Sequence, residues 1–494
     1  MNQIPDDAVD VSEHGQKPAL KKTLGPWMLW GLGIGYVIGG EYFGWNIGLL
    51  VGGSLGMMAA FLIVTLLYIC FVFCYAEMAC AVPKAGGVFD YAQWGISPFW
   101  AYVAGVSQVL EFLFAPPALA MAVGAYIAPL LQPVLGLGPK PLAIIALGLV
   151  TVLNIRGVKQ AAAFELSIAI VSSLGLILFF WLVAPSFQMK EYLRDSWPNG
   201  LLGVFQAVPF AIWMYLGIEG VANVAEESRN PSRDIPRGFG GSLFTLIILS
   251  GVVMVLSVGV KGWQTVVYNS ADLSVNAQGQ TIVANGAIAS DSPLTLALGA
   301  TGSLNSPAGK LFQAMGLFGL ISSLNGLSLA SGRSLLEMGR AAYLPKFLGV
   351  IHPRFHTPAR AQIFTFVVGT VALIVLDTAK LITWSALGAV LLYIFSIPAL
   401  VGLRRKYPEL ARPFIAPLYP WLPAVSFVLS IFCFFAMLIG NLEEPGAFAP
   451  FTKYSTVVIE FGVFWIFAMI YYMAFVRHNK TILGIASSKT LGNL

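Results

Sequence analysis

The chain has 494 residues, of which 57% are hydrophobic and 10% charged, with a net charge of +5. A water-soluble domain is about 25% charged, so a chain this apolar cannot cover its own surface in water. Its basic residues fall in short connecting stretches rather than on one face of a polar domain, which excludes nucleic acid as a partner.

Residues 1–22 are polar and acidic and lack the basic-then-apolar layout of a cleaved signal peptide, so they are expected to form a cytoplasmic tail. Twelve apolar segments follow, near residues 25–50, 54–82, 99–131, 141–155, 162–184, 200–225, 238–260, 311–338, 361–376, 381–403, 419–442 and 456–475. A bilayer is crossed by about 20 helical residues. Lipid forces such runs to be helical, because backbone groups there must bond within the segment. The fold class is therefore an all-α polytopic membrane protein with twelve spans.

The first span reads Gly31, Gly33, Gly35, Gly39, Gly40, then Glu41 and Gly44. Mid-way in the third span, just after Glu111, comes Phe114-Ala115-Pro116-Pro117, where two missing backbone donors are expected to kink the helix. The sixth reads Trp213-Met214-Tyr215-Leu216-Gly217-Ile218-Glu219-Gly220. Glycine followed by glutamate at mid-span predicts broken helices in spans 1 and 6. A break in lipid survives only where it is buried in protein or lines a cavity. Their five-span separation is that of a five-plus-five inverted repeat with its site at the midplane. The repeats are then 23–199 and 200–405, the latter including a loop at 261–310, followed by the last two spans in 406–476 and a cytoplasmic tail at 477–494. Taken singly, a Gly-rich span equally fits close helix packing.

Alternate loops carry 21 and 7 of the Lys and Arg residues. The richer set includes both termini and is expected on the cytoplasmic side of the cell's inner membrane. The 261–310 loop is then outside, is too small for a catalytic domain, and is expected to start a short amphipathic helix at Ser292-Pro293-Leu294, over an outer vestibule.

An ionisable residue within a span is a functional candidate, because its charge is costly in hydrocarbon. Glu41, Glu111 and Glu219 stand out, and no Lys or Arg lies mid-span to pair with them; a small cation or a proton would fill that role. Glu219 and Glu41 each follow a break and each fits a helix cap. Glu219 is read first as such a cap and Glu41 as facing substrate. Trp213 and Tyr215 flank the sixth break, and aromatic faces attract ammonium groups. Cys70, Cys74, Cys80 and Cys433 lie in or beside apolar runs, so no structural disulfide is expected. His14, His352, His356 and His478 lie in tails and loops. They form no zinc pattern, and neither a phosphate loop nor a Ser-His-Asp set is evident. The residues read as a secondary transporter, not an enzyme, with no metal or cofactor. A channel would need a pore-lining ring.

Several stretches resemble the amino acid–polyamine–organocation transporters. Ile38-Gly39-Gly40-Glu41-Tyr42-Phe43 stands where that family has Ile-Gly-Ser-Gly-Ile-Phe. Trp213 to Glu219 is similar to its sixth-helix signature. Glu226-Glu227-Ser228-Arg229-Asn230-Pro231 with Ile235-Pro236-Arg237-Gly238, Asn154-Ile155-Arg156-Gly157-Val158-Lys159, and the run from Ser331-Gly332-Arg333 to Leu344-Pro345, His352 and Thr357-Pro358 match its loops. The resemblance implies the inverted-repeat fold with substrate between spans 1 and 6, and a Trp213 that packs on it. Within the family, Glu41-Tyr42-Phe43-Gly44-Trp45 and Glu111 to Ala118 resemble ethanolamine permeases. Amino-acid members hold the substrate carboxylate on bare amides of the first break; Glu41 there would repel a carboxylate and attract an ammonium.

The expected substrate is ethanolamine or a similar small primary amine. It would meet Gly39, Gly40, Glu41, Glu111, Trp213, Tyr215, Gly217 and Glu219, with Ser322, Ser323 or Asn325 as polar partners. Some proton-coupled members carry a fifth-helix lysine, aligned here with Ser172, and residues 161–185 contain no Lys or Arg. A coupling proton on Glu111 or Glu219, or sodium near spans 1 and 8, are the alternatives, beside exchange or simple facilitation. An amino acid or polyamine permease of the same fold is the competing substrate reading, and a transporter-like membrane sensor the competing class.

Overall fold

A computed structural model describes residues 24–84, 86–157, 162–276, 281–439 and 456–479. The expected tails, 1–22 and all but the first residues of 477–494, lie outside the described residues, as does the end of the eleventh segment. Ten helices are long and apolar enough to cross a membrane, and Ala359–Val375 is a shorter apolar one. The first span is absent from the ten because it is broken into pieces. These account for the twelve expected segments.

The first span runs as Pro26–Val37 and Gly39–Tyr42, then turns extended at Phe43 (φ −161°, ψ 167°). It resumes in the helix Asn46–Ala81, which bends at Gly53 (φ 64°, ψ −170°), so this one helix holds the end of the first span and the whole second. The sixth span is helical over Gly200–Trp213, turns through Gly217 (φ 95°), and continues as a 3-10 helix at Ile218–Glu227. A 3-10 run this long is uncommon, because its hydrogen bonds are poorer than those of an α-helix. Both expected breaks are therefore present.

The third span differs from expectation. It is one helix, Pro98–Leu135, that passes through Pro116 and Pro117 without interruption. Helix-breaking residues are tolerated in spans whose neighbours satisfy the freed groups. Spans 4, 8 and 10 pack along this helix.

Spans 4, 5, 7 and 8 are Pro139–Arg156, Ala162–Val183, Pro231–Val258 and Pro307–Arg340. Spans 10 to 12 are Thr378–Lys406, Trp421–Ile439 and Thr456–Tyr471. Apolar side chains such as Leu149, Ile374 and Phe467 are exposed on the outer faces of their helices, as lipid solvation permits. Between spans 7 and 8, strands Leu273–Val275 and Thr281–Val283 pair antiparallel. The helix Pro293–Ala300 then buries Pro293, Leu294, Ala297 and Leu298. It starts where expected, but its remaining face is also largely apolar, so it is wedged into the protein rather than amphipathic.

At the end of span 2, Glu77 is buried and takes two hydrogen bonds from Arg404 of span 10, at 2.6 and 2.8 Å. The amide of Ala416 donates to the same carboxylate at 2.8 Å, and the Arg404 guanidinium lies 3.9 Å from the Tyr419 ring centroid.

Candidate functional site

The two breaks face each other and are tied by direct hydrogen bonds. Trp213 Nε1 donates to Phe43 O, a carbonyl released by the first break, at 3.0 Å. Gly44 lies so close beneath that indole that a Cβ there would meet Nε1 at 2.5 Å, and its φ of 91° is a conformation L side chains rarely adopt. Glycine is needed at this position on both counts. Trp45 Nε1 donates to Glu41 O at 3.1 Å. Gly39 N donates to Ser323 Oγ at 2.9 Å, and Ser323 in turn donates to Gly35 O at 2.7 Å. The span-8 hydroxyl thus stands in for the Gly39-to-Gly35 backbone bond, which explains why the first helix breaks off after Val37. Gly40 packs on the carbonyl of Trp213.

The expected acids form two clusters. Glu41 is fully buried, and Ser250 of span 7 donates to its Oε1 at 2.6 Å. Tyr215 adjoins this group and shares a 2.7 Å hydrogen bond with Thr65. The second cluster joins Glu111, Glu219 and the backbone of Gly217. Tyr393 donates to Glu219 Oε2 at 3.3 Å and shares a 2.7 Å hydrogen bond with Tyr68. The rings of Tyr68 and Tyr215, 5.0 Å apart, connect the clusters. Glu41 Oε2, both oxygens of Glu111 and Glu219 Oε1 have no hydrogen-bond partner. Buried polar atoms are ordinarily satisfied, so these four oxygens stand out.

Of the three polar candidates on span 8, Ser323 is engaged with the break and Ser322 donates to Glu165 at 2.7 Å. Asn325 is buried with both amide atoms unpartnered. Ser250, Thr65, Tyr68, Tyr393 and Glu165 were not singled out in the sequence. Hydroxyls in apolar helices carry no positional signal until the facing helix is known. Ser172 packs beside Gly319 and Tyr42; the fifth-span side chain that reaches Ser322 and Gly35 is Glu165.

A cavity of about 10 Å³ lies at the centre, lined by Tyr36, Val37, Gly40, Leu119, Trp213, Leu216 and Leu327. It has room for about one water. Outside it, a vestibule of about 580 Å³ is lined by Leu50, Lys140, Phe210, Asp291, Asp377 and Thr378 among others. The central cavity is thus far smaller than the neighbouring chamber. Burial pushes the Asp291 carboxyl up to about 6, against a hydrogen bond from Thr378 and with a further push from Asp377.

Two broken helices that face each other are the geometry of a transporter, and the sequence comparisons agree. Residues 24–476 match the family described as amino acid permease. The chain belongs to the amino acid permease family. An uncharacterised transporter of Rhizobium meliloti (strain 1021) is 29% identical over 90% of the chain and 93% of its own length. The methylthioribose transporter of Bacillus subtilis (strain 168) is 27% identical over 84% and 88%. Among solved structures, a manganese transporter of Eremococcus coleocola, in complex with an aromatic bis-isothiourea compound, shares the fold with a TM-score of 0.53. Its sequence identity is 14%, and the match covers 93% of this chain and 94% of that one. This permease is thus a multi-pass membrane transporter of a small organic substrate and not an enzyme.

Proposed function

We propose that this permease imports ethanolamine or a similar small primary amine across the inner membrane by alternating access. The observation that supports this reading best is the set of four buried carboxyl oxygens on Glu41, Glu111 and Glu219 that have no partner. The ion pairs among the described residues do not include these acids. An ammonium supplies both the N–H donors and the positive charge that such oxygens need in a dry site. A second carboxylate on the substrate would meet the same acids with like charge.

In this reading Glu41 is the counter-charge, and Trp213 and Tyr215 wall the site. The backbone at Gly39, Gly40 and Gly217 borders it, and Asn325 takes the substrate hydroxyl. Glu111 and Glu219, facing each other away from water, require one proton or one cation between them, so this pair is the candidate carrier of a coupling proton. The repeats would be 23–199 and 200–405, with the 261–310 loop outside and both termini inside. An amino acid substrate is the second reading, favoured by the family match over residues 24–476. Membership alone does not decide, since one relative is named for methylthioribose.

The test is uptake of radiolabelled ethanolamine into proteoliposomes, with wild type and Glu41→Gln, in competition with unlabelled ethanolamine, alanine, arginine and putrescine. Inhibition by small amines alone, with uptake lost in the variant, is the expected result. Inhibition by amino acids, or a fully active variant, would select the second reading.

A further inference from the structure

Between spans 2 and 3 the chain folds back into the protein. The helix Val88–Gly95 buries Val88, Phe89, Tyr91 and Ala92, and Gly87 (φ 59°, ψ −132°) forms the tip before it. Asp90 Oδ2 accepts from Gly86 N at 3.0 Å and fixes the shape of the tip. The far end of the helix is anchored, because Gly95 packs directly on the Ala399 carbonyl of span 10 and Gly402 packs on Gly95. The tip lies against Tyr75 of span 2, about 9 Å along that helix from its end at Ala81.

Around the point where a Cβ on Gly87 would stand, the three nearest atoms of other elements are all oxygens. They are Asn223 Oδ1 of span 6 at 3.0 Å, the Tyr75 hydroxyl of span 2 at 3.0 Å and Gln108 Oε1 of span 3 at 3.1 Å. These are N–H···O hydrogen-bond distances. Gln108 is only 2% exposed. Its Nε2 donates to Ser334 Oγ at 2.8 Å, while its Oε1 has no partner. A buried amide oxygen calls for a donor, and Gly87 has no side chain to supply one. The rings of Tyr91 and Phe239 lie 5.3 and 6.4 Å from that of Tyr75, so the setting is aromatic and dry, where each hydrogen bond counts for more. Phe71 stands 4.9 Å from Tyr75 and 4.3 Å from Tyr393. The three oxygens therefore lie beyond the Glu111 and Glu219 pair, on the way to the loop between spans 2 and 3.

We infer that Tyr75, Gln108 and Asn223 form a second binding site for a primary ammonium, which the Gly87 tip closes in this state of the protein. A primary ammonium carries three donors and no acceptor, one donor for each oxygen. Withdrawal of the tip would open the three oxygens to a substrate leaving the central acids. Neutral oxygens hold an ammonium more weakly than carboxylates do, which suits a station from which the substrate must depart. The inference rests on the substrate's carrying a primary ammonium, which the ethanolamine and amino acid readings share.

The test follows the thiol of Asn223→Cys in purified protein, since the four native cysteines are buried. Its labelling by aminoethyl methanethiosulfonate is timed in methylammonium, tetramethylammonium or sodium chloride at equal ionic strength. Methylammonium is expected to slow labelling in a saturable way, and tetramethylammonium, which has no donor, to leave it unchanged. Adding Gln108→Leu should weaken the apparent methylammonium affinity about tenfold, the loss of one hydrogen bond to a charged group, and Gln108→Glu should strengthen it. Gly87→Ala, whose Cβ would crowd the oxygens, should speed labelling in sodium chloride. Equal slowing by both ammonium ions, protection indifferent to both Gln108 variants, or a rate indifferent to Gly87→Ala would each overturn the site. Where Gly87→Ala does not fold, the protection and its dependence on Gln108 decide. Absent ethanolamine uptake with intact methylammonium protection would strike the substrate reading and leave this site standing.

Discussion

At the scale of single residues, the site's character comes from acids placed where the chain offers no base. Glu41 has one oxygen on Ser250 and one without a partner. Glu219 accepts from the Tyr393 hydroxyl, and neither it nor Glu111 enters an ion pair among the described residues. The vestibule above repeats this character in a wetter setting, where Asp291 and Asp377 share the lining with Lys140. Asp291 is displaced from an ordinary 3.8 to about 6, chiefly by burial. The folded protein therefore holds that proton more tightly than an unfolded chain would, so the group's contribution to stability is lost as pH rises through about 6. Its effect on an amine runs the other way, since ionised Asp291 adds attraction for a cation entering the vestibule. Initial uptake of a cationic substrate is accordingly expected to rise across pH 5 to 7 with an inflection near 6. Asp291→Asn should flatten that inflection while leaving the protein at least as heat-stable at pH 7.5. An unchanged pH profile in the variant would remove Asp291 from the entry path.

At the scale of helices, the sequence was most informative where one residue type is costly on its own. The breaks at Glu41 and Gly217 were legible because glycine and glutamate inside an apolar run have few explanations that do not involve a cavity. Pro116 and Pro117 do not interrupt their helix, which is packed between spans 4, 8 and 10, and that packing leaves no trace in the sequence near residue 116. Glu165 gives no signal in the sequence, because an acid in a first turn reads as an ordinary helix start; only Ser322, 157 positions away, shows what it touches. The same is true of the Glu77 clasp, whose partner Arg404 lies 327 positions along the chain. Arginine here fits two carboxylate oxygens at once and stacks on Tyr419, which lysine cannot copy. Removing one partner of a buried pair costs about 3–5 kcal/mol where the other charge is left uncompensated; for Arg404 the loss is reduced, because Arg412 Nε also lies 3.9 Å from Glu77 Oε1. Both Glu77→Gln and Arg404→Lys are thus expected to lower the melting temperature clearly, and the pair combined should cost less than the sum of the two. Additive losses in that double-mutant cycle would mean that the ion pair is not the link between spans 2 and 10.

At the scale of the whole molecule, alternating access demands that the two faces of the membrane see different cavities. The structure has a central cavity of about 10 Å³ and a chamber of about 580 Å³ beside the 261–310 loop. Asn46, just past the first break, connects the two. Its Oδ1 accepts from Gly44 N at 3.1 Å and its Nδ2 donates to Ser290 O, beside Asp291, at 2.9 Å. Movement of the outer half of span 1 must therefore carry the loop that lines the vestibule, or break these bonds. All four native cysteines are buried as free thiols, so a single added cysteine can be followed with an impermeant maleimide on intact cells. With the outer loop facing out, as the distribution of basic residues favours, Ile288→Cys should label at once, since Ile288 is 81% exposed. Phe347→Cys, on an inner loop in that topology, should label only after permeabilisation. Leu50→Cys, in the vestibule wall, should label from outside at a rate that saturating substrate changes, while the rate at Ile288→Cys stays fixed. Labelling of Phe347→Cys in sealed cells would invert the topology, and a Leu50→Cys rate indifferent to substrate would show that the vestibule does not take part in the transport cycle.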